Sequence, residues 1–214
     1  LASNLHSQAQ GYGIIDLGTL KGTVKSVGYG LNHLGQAVGV SSNPTAAIAT
    51  LFSNGTTTNL NTLGADVSVA TAVNAFGQAA GYNFFDSNPN PVPRAFLYSN
   101  GSMTDIQSDS LFPSGTRAHG INSSGTVVGE GWLTSSSFHA FLYSGGRMLD
   151  LGGGYQASAS AINDAGQVIG NGTTVGAFLY SNGKMVALGA PPGANGSGAN
   201  AISSTGQIAG AIYF

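Results

Sequence analysis

One phrase is written five times along this chain, and that repetition constrains the fold more than any other feature. The copies are GLNHLGQAVG from Gly30, AVNAFGQAAG from Ala72, GINSSGTVVG from Gly120, AINDAGQVIG from Ala161 and AISSTGQIAG from Ala201. Their anchor residues are Asn32, Asn74, Asn122, Asn163 and Ser203, spaced by 42, 48, 41 and 40 residues. A second phrase alternates with the first: LFSNG at 51–55, AFLYSNG at 95–101, AFLYSGG at 140–146 and AFLYSNG at 177–183. Self-similarity at about 40 residues marks supersecondary units that bury their apolar faces only against one another.

Each unit reads as four short antiparallel strands. The first ends at the anchor, where Asn-x-x-Gly makes a turn because Asn bonds its own backbone and Gly accepts positive φ. The second begins at Gly-Gln, and AFLY is the third. Ser-Asn-Gly then forms a tight hairpin, since Asn-Gly suits a type I′ turn, and a segment such as GRMLDLG at 146–152 supplies the fourth strand. No stretch carries a helical period. Four strands per unit is the size of a propeller blade. The longest spacing holds DSNPNPVPR at 86–94, whose three prolines mark a loop.

The ends suggest closure. The fifth unit stops at Phe214 after its second strand, while GYGIIDLGTL at 11–20 matches the fourth strand of other units. The expectation is an all-β fold, a five-bladed β-propeller of four-stranded antiparallel blades, with the last blade closed by that N-terminal strand. Residues 1–10 are then a tail and residues 11–214 a single domain.

The repeat resembles the bacterial extracellular HAF repeats, named for His-Ala-Phe. His139-Ala140-Phe141 carries the literal triplet, and Ala49-Thr50-Leu51, Arg94-Ala95-Phe96 and Gly176-Ala177-Phe178 are its variants. The Ile-Asn-x-x-Gly-Gln-Val-Val-Gly and Asp-Leu-Gly-Thr-Leu phrases extend the resemblance over nearly all of 11–214. It implies an exported bacterial protein and brings no activity with it.

Composition excludes several function classes. Only 7% of residues are charged, against roughly 25% in ordinary domains, so hydroxyls and amides must keep the surface wet. A net charge of −2 and six scattered Lys and Arg give no basic footprint for nucleic acid. No apolar run approaches the ~20 residues of a membrane-spanning helix. The chain has no cysteine, and neither a nucleophile elbow nor a His-Glu-x-x-His zinc pair occurs. No cofactor or metal is expected.

Function is better sought where the copies disagree. Three residues before each anchor stand Tyr29, Thr71, His119, Ser160 and Asn200, all polar. First strands lie nearest a propeller axis, so these five form a candidate ring of hydrogen-bonding groups around a channel. A second variable slot holds Phe84, Trp132 and Tyr213. Trp132 is the sole tryptophan and adjoins Glu130, the sole glutamate, with Arg94 and His139 on third strands. An aromatic among amides suits the apolar face of a sugar ring. Each set has a plainer reading, as a polar layer around water or as core packing.

The leading expectation is a secreted, non-catalytic, lectin-like module with a glycan ligand. An extracellular polysaccharide hydrolase or lyase would need acid and base in one cleft, and His119 with Arg117 or Glu130 with His139 are the candidate pairs. A structural or adhesion domain of a cell-surface or matrix protein is the third reading.

Overall fold

In the computed structural model, which describes residues 13–85, 92–152 and 156–214, the described residues form eighteen strands and no helix. The first unit is β1 (Lys25–Leu31), β2 (Ala37–Asn43), β3 (Ala46–Ser53) and β4 (Thr56–Asn59). The second is β5 (Val67–Val73), β6 (Ala79–Phe84), β7 (Arg94–Ser99) and β8 (Ser102–Asp105). The third is β9 (Thr116–Ile121), β10 (Val127–Thr134), β11 (Ser137–Ser144) and β12 (Arg147–Asp150). The fourth is β13 (Ala157–Ile162), β14 (Val168–Gly172), β15 (Gly176–Ser181) and β16 (Lys184–Ala187). The fifth has only β17 (Gly196–Ile202) and β18 (Ile208–Tyr213).

Within units every pairing is antiparallel and sequential, as the turn chemistry demands. Asn54-Gly55, Asn100-Gly101 and Asn182-Gly183 all have positive φ at both residues, the requirement of a type I′ hairpin. Register also places Thr50 opposite Asn59, as Phe141 lies opposite Asp150. The first unit's counterpart of His-Ala-Phe is therefore Ile48-Ala49-Thr50, one residue earlier than the sequence suggests.

The anchor asparagines explain their own phrase. Asn163 accepts from the Gln167 amide at 3.0 Å, and its Nδ2 donates to Gln167 Oε1 at 2.8 Å and to the Ser203 carbonyl at 3.1 Å. The same outward bond runs from Asn32 to the Asn74 carbonyl, from Asn74 to Asn122, and from Asn122 to Asn163. Each anchor thus closes its own turn and clasps the next unit.

A β-bulge interrupts every first strand at the same place, with register shifts at Gly28/Gly30, Ala70/Ala72, Ala159/Ala161 and Ala199/Ala201 and the matching shift in the third unit. The extra residue of each bulge is the variable polar one, Tyr29, Thr71, His119, Ser160 or Asn200. A bulge bends its strand and frees one side chain from the alternation. It also presses a carbonyl onto the opposite strand. A Cβ on Gly170 would lie 2.0 Å from the Ser158 carbonyl oxygen, and one on Gly129 1.9 Å from that of Arg117. The glycine that ends each Gly-Gln-Val-Val-Gly phrase is there for that approach.

Four apolar clusters hold the units together, one per junction. At the third junction Val128, Ala140 and Leu151 of one unit meet Ala159, Ile162, Val168 and Phe178 of the next. All five units converge on a cavity of about 440 Å³, lined by Asn32, Asn74, Asn122, Asn163 and their flanking residues.

The array is open, and this corrects the expected five-bladed propeller. Its sheets are an eight-stranded mixed sheet, two four-stranded sheets and a two-stranded one. The eight-stranded sheet fuses the first two units through a single parallel pair, Ala47 with Val67. Among the described residues no N-terminal strand completes the fifth unit. Residues 13–20 are non-strand, and Leu20 is buried against the first unit, its amide donating to Ser41 Oγ at 3.3 Å. The likeness of Asp16-Leu17-Gly18 to Asp150-Leu151-Gly152 has a local cause. In both, the amide two residues on donates to the Asp carboxylate, at 2.9 and 2.7 Å. It is the turn that leads into a unit's first strand, and it says nothing about which sheet lies behind it. Both end units expose apolar side chains: Leu31 is 72% exposed, whereas Ile121 and Ile162 in its slot are 9% exposed, and Phe214 is 82% exposed. The tail at 1–10 and residues 11–12 lie outside the described residues.

Candidate functional site

The cavity shared by all five units is lined by the anchors and their flanks, and the bulge residues are not among its lining. Those of the middle units sit at the junctions, and His119 and Ser160 face the second-strand residues eight positions after their anchors, Glu130 and Asn171. Thr71 Oγ1 donates to the Ala118 carbonyl of the next unit at 2.9 Å. Ser160 Oγ accepts from Asn171 Nδ2 at 3.2 Å, and Asn171 in turn bonds the Ala199 carbonyl and amide. Tyr29 and Asn200, in the end units, are exposed.

At the second junction this polar slot becomes a chemically rich cluster. His119 Nε2 lies 3.5 Å from Glu130 Oε1. Glu130 pairs in register with Arg117 across β9 and β10. The Arg117 guanidinium carbon lies 5.2 Å from the ring centroids of Tyr82 and Phe84 and 5.1 Å from that of Trp132. Tyr82 and Phe84 meet edge to face at 5.5 Å. Such contacts with a cation are worth about 0.5–2 kcal/mol each, more when desolvated. All six side chains are half-buried, so each keeps a surface towards solvent. Arg117 Nε is buried without a hydrogen-bond partner.

Burial pushes the Glu130 carboxyl up, but the hydrogen bond and charge of His119, with Ser158 and Arg117, outweigh it and hold the group below the usual carboxylate range. Glu130 is therefore ionised at neutral pH, and it reaches across the third junction to Ser158.

Arg94 and His139 belong elsewhere. They occupy the first position of the triplet on third strands, and each pairs with a fourth-strand acid of its own unit. Arg94 Nε lies 2.7 Å from Asp105 Oδ2, and Asp109 takes a second contact at 3.1 Å. His139 Nδ1 lies 2.8 Å from Asp150 Oδ2. The structure thus unites Trp132, Glu130 and His119, and leaves Arg94 and His139 as clips at the ends of fourth strands. Sequence reasoning missed Tyr82 in the cluster, and Arg117's aromatic cage. The available signal was that Tyr82 and Glu130 share a repeat slot opposite the bulge.

Among the described residues no three His, Asp or Glu side chains converge in a way that would hold a metal. No described helix is long and apolar enough to cross a membrane. No family model matches the chain, and no curated protein matches it either.

Proposed function

We propose that this chain is an exported, non-catalytic binding module that takes a glycan at the cluster of Tyr82, Phe84, Arg117, His119, Glu130 and Trp132. The observation that carries the reading is the union of three half-exposed aromatic rings with a guanidinium, an imidazole and a carboxylate at one junction. Aromatic faces meet the apolar face of a sugar ring, and the charged groups bond its hydroxyls and any acidic substituent. Every residue of the cluster stands at a slot where the repeats differ, so the scaffold does not require it. The HAF-repeat resemblance supports export.

The cluster suits binding better than hydrolysis. Glycoside hydrolysis uses two carboxyl groups, one with a raised pKa to protonate the leaving oxygen. Here a single carboxylate is held ionised. A structural or adhesion role is favoured by a separate observation, the exposed Leu31, Ile212 and Phe214 of the two end units.

A glycan array followed by calorimetry tests the proposal. Trp132→Ala should weaken binding of the preferred glycan by about 1–3 kcal/mol, the loss of a polar or stacking partner. A Trp132→Ala protein that stays folded and binds every array glycan as wild type does would return the cluster to a packing role.

A further inference from the structure

The junction between the fourth and fifth units is built differently from the others, and the difference leaves a cleft. In the third unit the His139 ring lies over Gly152, so closely that a Cβ on Gly152 would sit 2.3 Å from it. His139 is held there by Asp150. In the second unit Arg94 and Asp105 play the same two parts. The fourth unit has lost both partners together: the triplet begins with Gly176, and Ala187 stands where the acid would be. Gly189 is the counterpart of Gly152, and among the described residues nothing comes within 4 Å of where its Cβ would stand. A cleft of about 380 Å³ opens there, lined by Gly176, Gly189, Thr173, Asn195, Ser197 and Tyr213 among others.

The lining has a definite chemistry. Tyr213 is 58% exposed and offers a ring face. Thr173, Thr174 and Asn195 are exposed and offer two hydroxyls and an amide. The Ser197 hydroxyl accepts from the Ala177 amide at 3.2 Å and so stays fixed. No lining residue carries a charge. The volume falls in the range of small-molecule sites.

We infer that the cleft between the fourth and fifth units binds an uncharged saccharide. Tyr213 is its stacking platform, and Asn195 and Thr173 bond the sugar hydroxyls. An acidic sugar would find no counter-charge among the lining residues. The inference does not depend on the reading of the Arg117 cluster.

The test is titration of the full chain, labelled for NMR, with uncharged glucose-, galactose- and mannose-based pentasaccharides, alongside calorimetry. The expected result is saturable shifts confined to Thr173, Asn195, Ser197 and Tyr213 with at least one of the three. Tyr213→Ala and Thr174→Trp, a lining residue enlarged to fill the cleft, should each weaken that binding at least tenfold, and Trp132→Ala should leave it unchanged. If no pentasaccharide shifts these residues, or if binding survives both cleft variants, the inference falls. Binding that is lost only with Trp132→Ala overturns the cleft and leaves the Arg117 cluster standing.

Discussion

The third and fifth units are written in nearly the same words, yet they live in different surroundings. The third has four strands and a neighbour on either side, and its Val127, Val128, Ala140 and Phe141 are fully buried. Among the described residues the fifth has two strands and a neighbour on one side only, and Ile212, Tyr213 and Phe214 are exposed. Its anchor is Ser203, which still accepts from the Gln207 amide at 2.9 Å but has no amide nitrogen to pass onwards. A repeat residue therefore contributes according to its neighbours more than its letter. That is the behaviour of a stacked array, where stability sums intrinsic and nearest-neighbour terms.

The sharpest break in this comparison comes from the core. Phe141→Ala should destabilise by about 3–5 kcal/mol, the range for emptying a buried aromatic site, and Ile212→Ala in the fifth unit by about 0.5 kcal/mol. Chemical denaturation of both variants checks it, and comparable losses would mean the fifth unit is covered in solution. Next come the anchors. Asn122→Ala leaves the buried Thr126 amide without a partner and takes one of two bonds from the Asn163 carbonyl, and should cost about 1–3 kcal/mol, whereas Ser203→Ala should cost less than half as much. Calorimetric melting separates the two. The hairpins follow, because Asn182 and Gly183 both hold positive φ. Gly183→Val should cost about 1–3 kcal/mol for a β-branched residue in that region, against about 0.5 kcal/mol or less for Lys184→Ala beside it.

The smallest effect is electrostatic. The Glu130 carboxyl titrates lower in the folded chain than in the unfolded one. Its ionised form therefore adds stability above the unfolded value of about 4.3, and that contribution is lost as pH falls through the lower folded value. Glu130→Gln should flatten this part of the acid unfolding curve. An unchanged slope between wild type and variant would show that His119 and Arg117 do not hold the charge.

Much of the local structure was legible in the sequence. Five anchors, four strands per complete unit and the Asn-Gly hairpins all follow from turn chemistry acting over a few residues. Closure was not legible, because the angle between units is set by side chains packed across junctions. Leu20 illustrates the failure: its phrase matches a lead-in turn, and only three dimensions show that it covers the first unit. The bulge was equally hidden, although the glycine opposite it, Gly170 or Gly129, was its trace. Trp132, Glu130 and His119 were found as outliers among copies. Arg117 took part in no repeated pattern, and its partners Tyr82 and Phe84 come from a different unit.

The asparagine clasp has a further consequence, for how the molecule comes apart. Because Asn32, Asn74, Asn122 and Asn163 each bond one unit ahead, the five units form a one-dimensional lattice with a coupling at every step. Opening one unit releases the clasp of the unit before it, so disorder entering the middle must break two couplings, whereas disorder entering at Ser203 breaks one. Amide exchange should therefore be slowest in β9 and β10 and quicken towards β18. The first unit also has a single coupling, but it keeps four strands where the fifth has β17 and β18, so the chain would melt from its fifth unit inwards, like a zipper drawn from one end.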